Sequence, residues 1–252
     1  MDFVSNRRLL TRKRTLKFLD DLQTTDGRDG ALTIYLKAGS DVTSLQKILR
    51  PLTGDVELPD LSRTVSSSTT GAVVFWTADI KCLLIPPFPL NVEHVADGID
   101  ALPLHDLLAK DLRLGLVIVR LGEYAIGVFV GEERLTSKVG TGLVHSRHRQ
   151  GGSSAHRFER HREKQIESFF ERVCVHVREQ IEPHGKNIDY VVFGGERYTV
   201  LAFRGQCHFL KHFDNVVLPR LIDVRKPRQD SLESAILTVW SSTVVQWSEP
   251  TS

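Results

Sequence analysis

Residues His145 to Lys164 read HSRHRQGGSSAHRFERHREK and concentrate side chains that can do chemistry. Six cations (Arg147, Arg149, Arg157, Arg160, Arg162 and Lys164) stand against two acids, Glu159 and Glu163, with four histidines among them. At the centre lies Gln150-Gly151-Gly152-Ser153-Ser154, a turn whose glycines can take positive φ and bring backbone close to a ligand. The turn runs into a helical pattern and places Arg157, Arg160, His161 and Lys164 in its first turns. Cations there oppose the helix dipole, so the arrangement is unfavourable unless an anion is bound. Exposed amides beside arginines suit a polyanion, phosphate above all. The plainer reading is a solvated basic loop and helix start.

Other chemistries fit the residues less well. His145 and His148 have HxxH spacing, with His156 and His161 following, but no Cys or carboxylate completes a ligand set and the arginines would repel a dication. No metal or cofactor is expected. Ser153-Ser154 lacks the GxSxG elbow of a nucleophile and has no Asp placed to orient a histidine, so a helix cap suits these serines better. Asp79, Glu123, Glu132 and Glu133 fall at turns or strand ends, which disfavours a two-metal nuclease. Gly194-Gly195 lacks GxGxxG and reads as a tight connection, with Tyr198 and Phe203 behind it as core.

The elements that must hold this segment can be read from hydrophobic periodicity. Residues 7–22 suggest a basic helix, a second polyanion contact or a solvated face, and Ala31–Leu36 a strand. Asp41 is expected to cap a helix that Pro51 stops. After the Pro, Asp, Ser and Thr-rich stretch from Thr53 to Thr70 come β-type runs at Gly71–Trp76, Lys81–Ile85, Gly115–Leu121, Tyr124–Val130 and Arg134–Val139, which suggest an antiparallel meander. A long helix is predicted from Ser153 to Ile181, with Ile166, Phe169, Phe170, Val173, Val177 and Ile181 as its buried stripe. Strands at Ile188–Phe193 and Val216–Val224 and a final helix with an Asp230/Glu233 capping box complete an α/β pattern. The expected division is residues 1–65, a basic helix and small α/β segment, and 66–252, the main domain.

The 252 residues are 41% apolar and 25% charged, which excludes a disordered or fibrous chain. The net charge of +2 hides a distribution: residues 1–18 carry six basic residues and one acid, and His145 to Lys164 are also basic, so the rest is acidic. Three distant cysteines (Cys82, Cys174, Cys207) predict buried thiols in a reducing compartment rather than a disulfide framework. No signal peptide or membrane span is read, because arginines break the N-terminal apolar pattern and prolines interrupt Cys82–Leu90, so a cytoplasmic protein with no membrane partner is expected.

The order GAVVFWTADIKCLLIPPFPL, LGLVIVRLGEYAIGVFVGEERLTSKVG, HSRHRQGGSSAHRFERHREKQ and IDYVVFGGERYT resembles the bacterial release-factor-like peptidyl-tRNA hydrolases of the VLRF type. They are similar in turn to the catalytic middle domain of eukaryotic and archaeal peptide-chain release factors and to the ankyrin-repeat and zinc-finger ribosome quality-control hydrolases. The resemblance, from about Gly71 onward, implies an RNase H-like mixed sheet with flanking helices. It implies that the glycine loop and Arg-rich helix enter the large ribosomal subunit and hydrolyse the ester joining a nascent chain to its tRNA. Partners would be rRNA and peptidyl-tRNA, held through Arg147, Arg149, Arg157, Arg160, Arg162 and Lys164. Gly151, Gly152 and Ala155 would sit at the ester, with Gln150, Ser154 and His156 able to position water. The family carries a glutamine after the glycines; in the related pattern GGSSQRRFERRREKQ it falls on Ala155. Either the backbone N–H at 155 suffices for hydrolysis, or the chain is an inactive ribosome- or RNA-binding factor of the same fold.

Overall fold

The computed structural model describes residues 3–24, 30–54, 56–145 and 155–249. In chain order the elements are β1 (Val4–Leu10), α1 (Arg12–Thr24), β2 (Leu32–Leu36), α2 (Val42–Thr53), α3 (Leu61–Ser67), β3 (Ala72–Trp76), β4 (Lys81–Ile85), β5 (His94–Asp97) and α4 (Leu102–Ala109). They continue as β6 (Arg113–Arg120), β7 (Glu123–Val130), β8 (Glu133–Thr141), α5 (Ala155–Ile181), β9 (Tyr190–Gly195), α6 (Arg197–Gln206), β10 (Val217–Ile222), α7 (Gln229–Val239) and β11 (Ser242–Ser248). The chain divides into two compact units, residues 1–110 with 240–252, and residues 111–239. This division falls elsewhere than the composition change near residue 65, which lies inside α3.

The first unit is an antiparallel sheet in the order β1-β11-β4-β3-β2-β5. β3 is buried along its whole length because side chains alternate between two covered faces. Val73 and Phe75 meet Leu19 and Leu22 of α1 and Leu104 and Leu108 of α4. Val74 and Trp76 meet Leu45 and Leu49 of α2 and Leu61 and Val65 of α3. A strand buried on both faces reads as a continuous apolar run, which is why AVVFW and KCLLI are legible from sequence.

Arg12 has a structural role here. Its Nε donates to the carbonyl of Leu108 at 2.8 Å, its Nη2 donates to those of Ala109 and Lys110, and its guanidinium stacks on Trp240 at 4.1 Å. It thereby satisfies carbonyls that the end of α4 leaves open.

The second unit carries a five-stranded sheet in the order β10-β9-β6-β7-β8. β6, β7 and β8 form an antiparallel meander, β9 adds parallel to β6, and β10 adds parallel to β9. Three antiparallel strands, then helix, strand, helix, strand and helix, in this spatial order, make the RNase H-like mixed sheet with flanking helices. One face is covered by α5 and α6, whose Phe169, Phe170, Val173, Val177, Val200 and Phe203 pack on Val117, Val119, Ile126, Val128, Val191 and Phe193. α7 packs on the opposite face through Leu232, Ala235, Ile236 and Val239. Gly195 is required where β9 turns into α6. Its φ is +112°, and any Cβ there would strike the carbonyl oxygen of Val119 on the neighbouring strand.

Several expectations are corrected. Residues 4–10 form a strand rather than the start of a helix, because they pair with β11 from the far end of the chain. The five β-type runs belong to two sheets rather than one meander. Pro51 lies within α2, and the helix stops at Gly54, with φ +66° and its N–H bonded to the Arg50 carbonyl. Asp41 caps α2 as expected, accepting from the N–H groups of Thr43 and Ser44. The Asp230/Glu233 box does not form: the Ser231 hydroxyl bonds to the backbone of Arg228, and Glu233 pairs with Arg134 at 2.6 Å. The last element is β11 rather than a helix. Tyr198, expected in the core, is 79% exposed, whereas Phe203 is buried.

The cysteines are corrected as well. Cys174 on α5 and Cys207 just after α6 form a disulfide, and only Cys82 is a free, buried thiol. They are 33 residues apart but brought together by two helices on one face of the sheet. Burial pushes the Cys82 thiol up to about 12.

Candidate nucleic-acid interface

α5 divides into two parts according to what each residue touches. From Ile166 onward its apolar stripe lies on the sheet, with Phe169, Phe170, Val173, Val177 and Ile181 buried. Among the described side chains, those of residues 157–165 contribute nothing to that core, so about 14 Å of helix, at 1.5 Å per residue, extends beyond the packed stripe. Packing of the C-terminal part determines where the N-terminal part projects.

The projecting part has no acidic residue in its first turn. Arg157, Arg160, His161 and Lys164 are exposed and recur at three- and four-residue spacing, which puts them on one side of the helix. With the exposed Phe158 they line, among the described residues, a concave space of about 610 Å³. Like charges at this spacing cost a few tenths of a kcal/mol per pair and also oppose the dipole. A bound polyanion reverses the sign of both effects. Guanidinium groups flanking an exposed aromatic ring offer phosphate contacts and a stacking surface together.

The chain enters the glycine segment from β8. Gly142 donates its N–H to the Gly122 carbonyl at 2.8 Å and lies against α5 so closely that a Cβ would meet Phe169 at 2.5 Å and the Arg172 guanidinium at 3.1 Å. Val144 packs against the core. His145 is then held by side chains of α5: its N–H donates to Gln165 Oε1 at 3.2 Å, and its carbonyl accepts from Arg162 Nε at 3.0 Å.

Arg147, Arg149, Gln150, Gly151, Gly152 and Ser154 lie outside the described residues, as do His148 and Ser153. Ala155 and His156 open α5. Of the expected RNA contacts, Arg157, Arg160 and Lys164 share the exposed face, while Arg162 is half-buried and turned to His145. Among the described residues no group of three or more His, Cys, Asp or Glu could hold a metal ion, and no helix is long and apolar enough to cross a membrane. The expected tight turn at Gly194-Gly195 leads into Glu196, which caps α6 through the N–H and hydroxyl of Thr199. The hydrogen bond from that hydroxyl holds the Glu196 carboxyl below its usual range. Gln165 and Gly142 escaped the sequence reading because their partners are backbone groups and a ring remote in sequence. The available signal was that Gln165 closes the quoted HREKQ run, one helical turn after His161.

Residues 112–245 match the family described as Actinobacteria/chloroflexi VLRF1 release factor. The chain is 30% identical over 117 residues to the peptide chain release factor subunit 1 of Archaeoglobus fulgidus, covering 46% of this chain and 29% of that one. It is 21% identical over 234 residues to the corresponding protein of Aeropyrum pernix, covering 82% and 63%. Among solved structures, an archaeal translation termination factor, aRF1, aligns over 91% of this chain and 70% of its own, at 18% identity and a TM-score of 0.41. The chain thus spans less than two thirds of the length of these curated relatives.

Proposed function

Since the chain belongs to the Actinobacteria/Chloroflexi VLRF1 release factor family, we propose that it is a ribosome-associated peptidyl-tRNA hydrolase that frees nascent chains from tRNA on stalled large subunits. The observation that carries this reading is the exposed cationic face of α5, Arg157, Arg160 and Lys164, on a helix that projects past its core directly after Gly151-Gly152.

In the proposed reaction, water adds to the ester carbonyl carbon, the bond to the ribose oxygen breaks, and that oxygen leaves with a proton. The products are a free peptide carboxylate and deacylated tRNA. The cations hold the RNA phosphates so that the ester is fixed relative to the loop, converting a bimolecular encounter into a positioned one. As the first residue of a helix, Ala155 has an N–H with no acceptor inside the helix, as do the three residues after it. Such an amide can stabilise the tetrahedral oxyanion, a contribution of roughly 2.7–4 kcal/mol for one donor. A side chain is not needed for that role. Gly151 and Gly152 admit close backbone approach, and Gln150, Ser154 and His156 are candidates to position water. This chemistry requires no metal or cofactor.

A second reading is favoured by Ala155 itself: a ribosome- or RNA-binding factor of the same fold without hydrolase activity. The two separate in a release assay on large subunits carrying peptidyl-tRNA, comparing wild type, Gly151→Ala and Ala155→Gln. Release by the wild type that is lost in Gly151→Ala supports the hydrolase. Subunit binding without release supports the inactive factor.

A further inference from the structure

The contacts at His145 hold both of its backbone polar groups by side chains of one helix. Its N–H donates to Gln165 Oε1 and its carbonyl accepts from Arg162 Nε. Because Gln165 uses its oxygen on that N–H, its amide nitrogen faces His161 Nε2, at 3.3 Å, and the ring completes the arrangement 6.4 Å from the ring of His145. Backbone hydrogen bonding in the described part of the chain otherwise comes mainly from sheet and helix. Here the backbone of an irregular segment is held by two side chains of α5, Arg162 and Gln165, with His161 in contact with Gln165.

His145 is the last described residue before the glycine segment, and Ala155 is the first after it. Arg162 lies seven residues into α5 from Ala155, about 10 Å along the axis. The chain therefore enters the segment docked beside residues 161–165 and leaves it a helical turn or more away. Arg162 and Gln165 set one of those two points, and the fold of α5 sets the other.

We propose that Arg162 and Gln165 are positioning residues, a clamp on His145 that fixes where the glycine segment departs from the sheet and hence how it is presented to the ester. This rests on the hydrolase reading above. The clamp differs from the RNA-contacting role of Arg157, Arg160 and Lys164: losing a phosphate contact weakens binding, whereas losing the clamp leaves the protein bound with a misplaced loop. Displacement by an ångström is enough to lower a positioned reaction by about a hundredfold.

The test is peptide release from large subunits carrying peptidyl-tRNA, with the saturating rate and the half-saturating concentration measured separately, and hydrogen exchange of the full chain at the amide of residue 145. Arg162→Ala and Gln165→Ala are expected to lower the saturating rate at least tenfold, to change half-saturation less than threefold, and to speed exchange at residue 145. Arg162→Lys keeps a donor for the carbonyl and should recover part of the rate. Lys164→Ala, in contrast, should raise half-saturation and leave exchange at residue 145 unchanged. Clamp variants that change only half-saturation, or that leave both rate and exchange unchanged, would overturn the proposal. Absence of release from the wild type contradicts the hydrolase reading instead, and the clamp itself then stands or falls on the exchange at residue 145.

Discussion

Among the positions where this sequence differs from the glutamine-bearing pattern it resembles, Ala155 stands in place of the glutamine itself, and backbone chemistry makes that difference testable. If the N–H at 155 is the principal oxyanion donor, Ala155→Gln should raise the release rate by on the order of tenfold through better placement of water, without changing half-saturation. The substitution was legible in the sequence, since it needs only the register of the glycines. What surrounds it was less so. The closeness of Gly142 to Phe169 depends on contact between a strand end and a helix 27 residues later, and Gln165 finds its partner in a backbone N–H that no side-chain pattern reveals. Glu196 gives a pH-dependent prediction. Its folded carboxyl is held below the unfolded value of about 4.3, so its capping contribution is present above that value and is lost as pH falls through the folded value. Urea titrations of wild type and Glu196→Gln should therefore differ in midpoint at pH 7 and converge only as pH falls through that lowered folded value.

The element that matters most is α5, one half of which packs while the other half contacts RNA in the proposed function. Phe169 anchors the packed half and also lies against Gly142. Phe169→Ala should cost about 3–5 kcal/mol of unfolding free energy, read from a denaturant midpoint. On the projecting half, replacing Arg157, Arg160 and Lys164 together by Ala should reduce the dependence of log binding constant on log salt by about 0.7 per lost phosphate contact, with little change in stability. The helix was legible because Ile166 to Ile181 keep a three- and four-residue rhythm, and its exposed start because that rhythm fades before Ile166. The disulfide tying α5 to the end of α6 was not: distant cysteines give no pairing signal until the topology sets both helices on one face. Removing it with Cys174→Ala/Cys207→Ala should lower stability by about 2–4 kcal/mol, measured against wild type without reductant.

Over the whole molecule, legibility followed the range of the interactions. The RNase H-like sheet of residues 111–239 is built from neighbours in sequence, β6, β7 and β8, and from strands joined by single helices, so LGLVIVR, YAIGVFV and YVVF announce it. The other unit closes through β1 and β11, which pair across almost the full length of the chain. Locally, the leucines and arginines of residues 7–10 fit a helix as well as a strand, and only the distant partner decides. The basic residues divide between two roles. The basic stretch at 145–164 lies partly on an exposed helix face, whereas Arg12 of the basic N-terminus is spent on capping α4. The central claim, that this fold presents a glycine segment and a cationic helix to a peptidyl-tRNA ester, is tested most directly by single-turnover peptide release. Purified large subunits carrying peptidyl-tRNA should yield free peptide and intact deacylated tRNA with wild-type protein, and neither with Gly151→Ala. Peptide still attached to tRNA after saturating binding of the wild type would contradict the claim.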